Sequence, residues 1–204
     1  MRGNVAAARD LIERSRLIAE DLGLRQWLGA LANFAGPIEL LAGDLAAAER
    51  ELRRGYEQLE ELGETGVLST TAAFLARTLV LAGRLDEAEA LATTSIRLGS
   101  RDDVYTQVVC RGALARVHAG RGDVARAEQL ASDAVARAAT TDFLNLRGES
   151  LLDIAEVLRV AGRQGEAEGA VIDALTHFEA KGCTVLAGVA RSLLDPTLEP
   201  TLPS

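Results

Sequence analysis

The sequence predicts an all-α protein built as a curved stack of antiparallel helix hairpins, and three observations carry that expectation. A glycine turn recurs, clearest in Leu41-Ala42-Gly43-Asp44, Leu81-Ala82-Gly83-Arg84 and Val160-Ala161-Gly162-Arg163. With Gly3 and Gly122 these glycines lie about 40 residues apart, and a fixed period of that size marks stacked helical hairpins. The chain of 204 residues is 48% hydrophobic, yet aromatics supply only 3%. Its apolar surface is therefore mostly Ala, Leu and Val, and Ala and Leu lead the helix scale while aromatics favour strands. Apolar residues also recur at helical spacing: Ala8, Leu11, Ile12, Ile18, Ala19 and Leu22 share one face, with Arg and Glu opposite.

Taken in order, residues 1–23 form a half-unit, a helix from Val5 to Leu22 with no preceding partner. An array that opens on half a unit leaves an apolar face uncovered. Either this helix serves as the amino-terminal cap or the chain is cut from something longer, the second being the expectation; a second copy could also cover that face. Gly23 ends the helix as a left-handed cap would. The hairpin at about 24–63 pairs a helix ending at Ala42 with one from Leu45 to Leu62, Asp44 being the N-cap. Pro37 should bend the first of these near Asn33, whose carbonyl loses its donor. The next hairpin, 64–99, joins Val67–Ala82 to Leu85–Leu98. A third, 102–139, joins Val104–His118 to Val124–Ala138, with Gly122 rather than Gly120 as its turn glycine because that aligns Ala127-Glu128 with Ala48-Glu49 and Ala88-Glu89. In the fourth, 141–181, Thr140-Thr141-Asp142 caps a helix from Phe143 that pairs with Glu166–Ala180. A capping helix, 184–194, closes the array. Pro196, Pro200 and Pro203 make 195–204 a flexible tail.

Two more columns move with the glycine. Seven residues before it stand Gly36, Ala76, Ala115 and Ala155; five after it stand Ala8, Ala48, Ala88, Ala127 and Ala167. Small side chains there let antiparallel helices approach, where a larger one would overpack by roughly 1–3 kcal/mol. From Gly3 to about Leu194 this pattern resembles the tetratricopeptide repeat, with a longer period than its roughly 34 residues and Leu in place of most of its aromatics. The resemblance implies a right-handed superhelix whose first helices line a concave groove, and a function in binding a protein or peptide there. It places Asn33, Arg77, Arg116, Glu149, Glu156 and Arg159 in the groove, with Arg77 and Arg116 as a bidentate anchor for a carboxylate. Trp27 and Tyr105 are the aromatics nearest a ligand, the others being scattered along the units rather than clustered. Long Ala-rich units of this kind look like the carboxy-terminal repeats of large bacterial regulators that carry an ATPase beside a LuxR-type or cyclase domain. A small-molecule sensor is the alternative reading.

Other function classes lack their chemistry. A net charge of −8 argues against a nucleic-acid surface. Neither a GxxxxGK[ST] phosphate loop nor an elbow nucleophile occurs, so no enzyme and no cofactor is expected. His118 occupies a position filled elsewhere by Leu and reads as half-buried. Asp153 and Glu156 are one turn apart without the histidine of a carboxylate metal site. Cys110 and Cys183 lie far apart with no CxxC, as in a reduced cytoplasmic protein. The apolar run 28–43 is interrupted by Pro37 and Glu39 and is too short for a membrane span.

Overall fold

The computed structural model describes residues 4–195 and Thr197. Gly3, first member of the glycine column, and residues 196 and 198–204 of the expected tail lie outside them. The described residues form helices and no strand: α1 (Val5–Asp21), α2 (Arg25–Ala30), α3 (Ala32–Leu41), α4 (Leu45–Glu61), α5 (Gly66–Leu81), α6 (Leu85–Leu98), α7 (Val104–Gly120), α8 (Val124–Ala138), α9 (Leu144–Val160), α10 (Gln164–Lys181) and α11 (Thr184–Leu194).

The glycine column is where each hairpin turns. Gly43, Gly83, Gly122 and Gly162 all have positive φ, a conformation open to glycine without Cβ strain. At Gly83 the amide bonds to the Val80 carbonyl and the following amide, of Arg84, reaches back to Leu79, a 5→2 and 6→1 pair that closes the helix end. Gly120 remains helical, so Gly122 is the turn residue. Asp44, Asp103 and Asp123 each accept the amide three residues on, satisfying donors that a helix start leaves over.

The small-residue columns are packing sites. Ala48, Ala76, Ala88, Ala115 and Ala127 are fully buried, and a Cβ on Gly36 would lie 2.5 Å from Leu52 Cγ. Ala8, on α1, is half-exposed. Hairpins α3/α4, α5/α6, α7/α8 and α9/α10 pack internally and then against their neighbours. The first helices also touch one another, α3 on α5, α5 on α7 and α7 on α9, whereas the second helices scarcely meet. That asymmetry curves the stack, with the first helices inside.

Local differences from the sequence reading have local causes. Instead of one helix kinked at Asn33, the chain tightens at Leu31 (φ −57°, ψ −26°), where the Leu31 carbonyl accepts from both Phe34 and Ala35. This short 3₁₀ step divides the expected helix into α2 and α3, and Pro37 lies within α3. The helix expected from Phe143 starts at Leu144, with the Thr141 hydroxyl accepting the Phe143 amide. The one expected from Glu166 starts at Gln164. The start of α5 is held by Glu64, whose carboxylate accepts from Gly66, Val67 and Leu68.

Candidate functional site

The inner face carries a recess of about 290 Å³, bounded by the first helices of the four hairpins and by α11. α3 supplies Pro37, Leu40 and Leu41; α5 supplies Phe74, Arg77 and Leu81; α7 supplies Tyr105 and Arg116; α9 supplies Glu149, Leu152 and Asp153; α11 supplies Leu186 and Val189. These residues converge because each sits on the inward side of its helix at i, i+3 or i+4 spacing. The walls are apolar and the floor is charged.

That floor is an ion-pair network spanning three helices. Arg77 donates through Nη1 to Glu149 Oε2, and through Nη2 to Asp153 Oδ2 at 2.5 Å. To reach α9 the guanidinium passes over α7, and it does so at Gly112. A Cβ there would stand 2.1 Å from Asp153 Oδ2 and 3.5 Å from Arg77 Nη2. Arg116, on the same side of α7 one turn later, holds an Nη1 3.7 Å from Asp153 Oδ1. It makes no hydrogen bond among the described residues.

Burial sets the titration of this cluster. It lowers the pKa of Arg77, but the charges of Asp153 and Glu149 outweigh it and the net shift is upward. Burial raises Glu149 above the usual carboxylate range, against the pull of Arg77. Tyr105, desolvated and facing Glu149, is pushed up to about 12. Asp153 is only 4% exposed in its side chain, so two carboxylates and two guanidiniums nearly balance within an apolar shell.

The sequence-derived candidates divide. Arg77, Arg116, Glu149 and Tyr105 come together in the recess. Glu156 and Arg159 pair with each other at 2.7 and 2.9 Å on the exposed part of α9, beyond its walls. Asn33 accepts the Thr71 hydroxyl at 2.8 Å, tying α3 to α5. Trp27 lies at the far amino-terminal end, 60% exposed. Aromatics from three successive units meet in space: Phe74, Tyr105 and Phe143 form an edge-to-face series, with centroids 5.9 and 6.4 Å apart. Asp153 and Gly112 were missed. An isolated glycine deep inside a helix pattern was the available signal, since such a residue generally has a packing reason.

The other candidates have structural places. His118 is half-buried with Nδ1 3.3 Å from Asp123. Cys110 and Cys183 are buried free thiols. Among the described residues no group of three His, Cys, Asp or Glu is placed to hold a metal ion, and no helix is long and apolar enough to cross a membrane.

Fold and site together define a helical-hairpin repeat protein with a concave recess. The tetratricopeptide-repeat model matches residues 70–92 and 108–132, two stretches that straddle the turns at Gly83 and Gly122. The chain is thus a tetratricopeptide-like helical repeat, a class that generally mediates contacts between proteins. No curated protein matches the sequence.

Proposed function

We propose that the recess receives an extended or helical segment of a partner protein. One apolar side chain inserts against Leu81, Leu152 and Leu186, and Arg116 holds an acidic group beside it. The observation that carries this reading is Arg116 itself: a cation at an apolar recess, with Asp153 at 3.7 Å as its ion-pair partner. Arg77 has its guanidinium engaged by Glu149 and Asp153, so it shapes the floor, and Arg116 provides the grip. At about 290 Å³ the recess lies at the lower edge of the roughly 300–1,000 Å³ usual for ligand pockets, and it has room for an apolar side chain.

In this reading the protein is a non-catalytic cytoplasmic interaction module. Its acidic balance disfavours nucleic acid, and its long Ala-rich units fit the repeat region of a larger bacterial regulator. Selection from a random peptide library tests it. Enriched peptides should share an apolar residue next to Asp or Glu, and should lose at least about tenfold in affinity to Arg116→Ala, in line with a charge-assisted contact. No enrichment, or peptides that bind Arg116→Ala and Leu186→Arg as well as the parent, would refute it.

A further inference from the structure

The amino-terminal end of the stack is open in a way the other end is not. Arg9 holds Glu39 at 2.5 Å and Arg16 holds Glu51 at 2.8 Å, seating one edge of α1 on α3 and α4. Between α1, α2 and α3 lies an apolar recess of about 540 Å³, whose lining includes the small residues Ala8, Ser15 and Ala19. Leu11, Ile18, Leu24, Trp27 and Phe34 line it, each between 41% and 60% exposed, and Leu22, 63% exposed, continues the α1 face beyond them. Six such side chains leave on the order of 600 Å² of apolar surface in water, most of the roughly 800 Å² per partner that a specific interface buries. Single exposed apolar residues are ordinary, but a contiguous patch of this size is not.

We infer that a second copy of this chain covers this face, the two α1 helices packing about a twofold axis so that each fills the recess beside the other. The chain's own surfaces select this arrangement. A head-to-tail contact would need a matching apolar face at the far end, where among the described residues α11 exposes one large apolar side chain, Leu193. Leu151 and Ala155 of α9 pack in the α10 core, but the residues forty positions on are Arg191 and Asp195. Arg191 is turned to Glu179 at 2.5 Å. The amino-terminal patch, by contrast, matches itself. Leu11, Ile18 and Leu22 make a ridge along α1, and the small residues beside them make a groove one helix wide, the self-complementarity an isologous contact requires.

Sedimentation equilibrium between about 1 and 100 µM, the weak end of the range for interfaces of this area, tests it. Trp27, the only tryptophan, supplies an independent probe. The mass should rise from one chain to two and stop, and Trp27 emission should shift to the blue over the same concentrations. Ile18→Arg should weaken association at least about a hundredfold with unchanged far-ultraviolet circular dichroism, because the side chain it replaces is exposed within each copy. A single-chain mass at every concentration overturns the inference and leaves the face to a different protein. Growth beyond two chains overturns the twofold geometry. Doubling that persists in Ile18→Arg with unshifted Trp27 emission places the contact elsewhere.

Discussion

Gly112→Ala separates two physical expectations of opposite sign. Gly112 lies inside α7, where alanine should stabilise the helix by about 1 kcal/mol through propensity. Its missing Cβ is also the gap through which Arg77 meets Asp153, and an added methyl would stand 2.1 Å from Oδ2 and 3.0 Å from Cγ. The Asp153 carboxyl cannot swing aside and keep its 2.5 Å bond to Arg77. Stranding one partner of a buried ion pair costs about 3–5 kcal/mol, so the net change should be a loss of roughly 2–4 kcal/mol. For a chain of this size that lowers Tm by about 2–4 °C per kcal/mol. Urea denaturation of parent, Gly112→Ala, Asp153→Ala and the double variant gives the coupling directly. With Asp153 already removed, Gly112→Ala should become neutral or stabilising. A stabilised single variant, or equal losses in both backgrounds, would refute the role given to Gly112.

Gly55→Ala should cost at least about 1–3 kcal/mol by overpacking, because its Cβ would meet Ala32 Cβ at 2.2 Å and the Gly29 carbonyl at 2.6 Å; an unchanged urea midpoint would contradict that crossing. Glu149, with a folded-state pKa raised by burial above the ordinary 4.5, contributes stability that is complete below that value and lost as pH rises through the folded one. Glu149→Gln should therefore flatten the decline in urea midpoint on going up from pH 4.5, and parallel profiles would count against it. The turn arginines Arg84, Arg121 and Arg163 are exposed, so replacing any one with Ala should leave the midpoint near the parent's. Replacing all three should lower it at low salt, and added salt should erase the difference; a salt-independent loss would mean that the side chains act by packing.

The repeating elements were legible because the same short-range requirement is written several times. A positive φ needs glycine, and a close crossing needs alanine, so Gly83 and Ala88 announce themselves in every unit. One column was visible but not understood. Glu49, Glu89 and Glu128 follow the buried alanines, and each accepts from the next unit's turn arginine: Arg84 at 2.5 Å, Arg121 at 2.7 Å and Arg163 at 3.0 Å. Read singly, these acids look like solvated helix surface. The recess was half legible: Arg77, Arg116, Glu149 and Tyr105 follow from helix phase, which says which side chains face inward. Phase does not say which of them are already paired. Asp153 was visible only as a rejected metal ligand, because the arginine that answers it lies two units earlier. Glu156 and Arg159 share the α9 phase, but their mutual ion pair turns them away from the recess.

The reach of Arg77 over α7 has a consequence for how the stack comes apart. In a linear array each hairpin feels only its immediate neighbours, so disorder can enter at an end and travel inward one unit at a time. Here a side chain of α5 is bonded to α9, and α7 cannot leave the row without exposing that pair to water. The last three hairpins should accordingly lose amide protection as one block, later than the amino-terminal helices, so that the floor of the binding face persists after the amino-terminal end of the array has frayed.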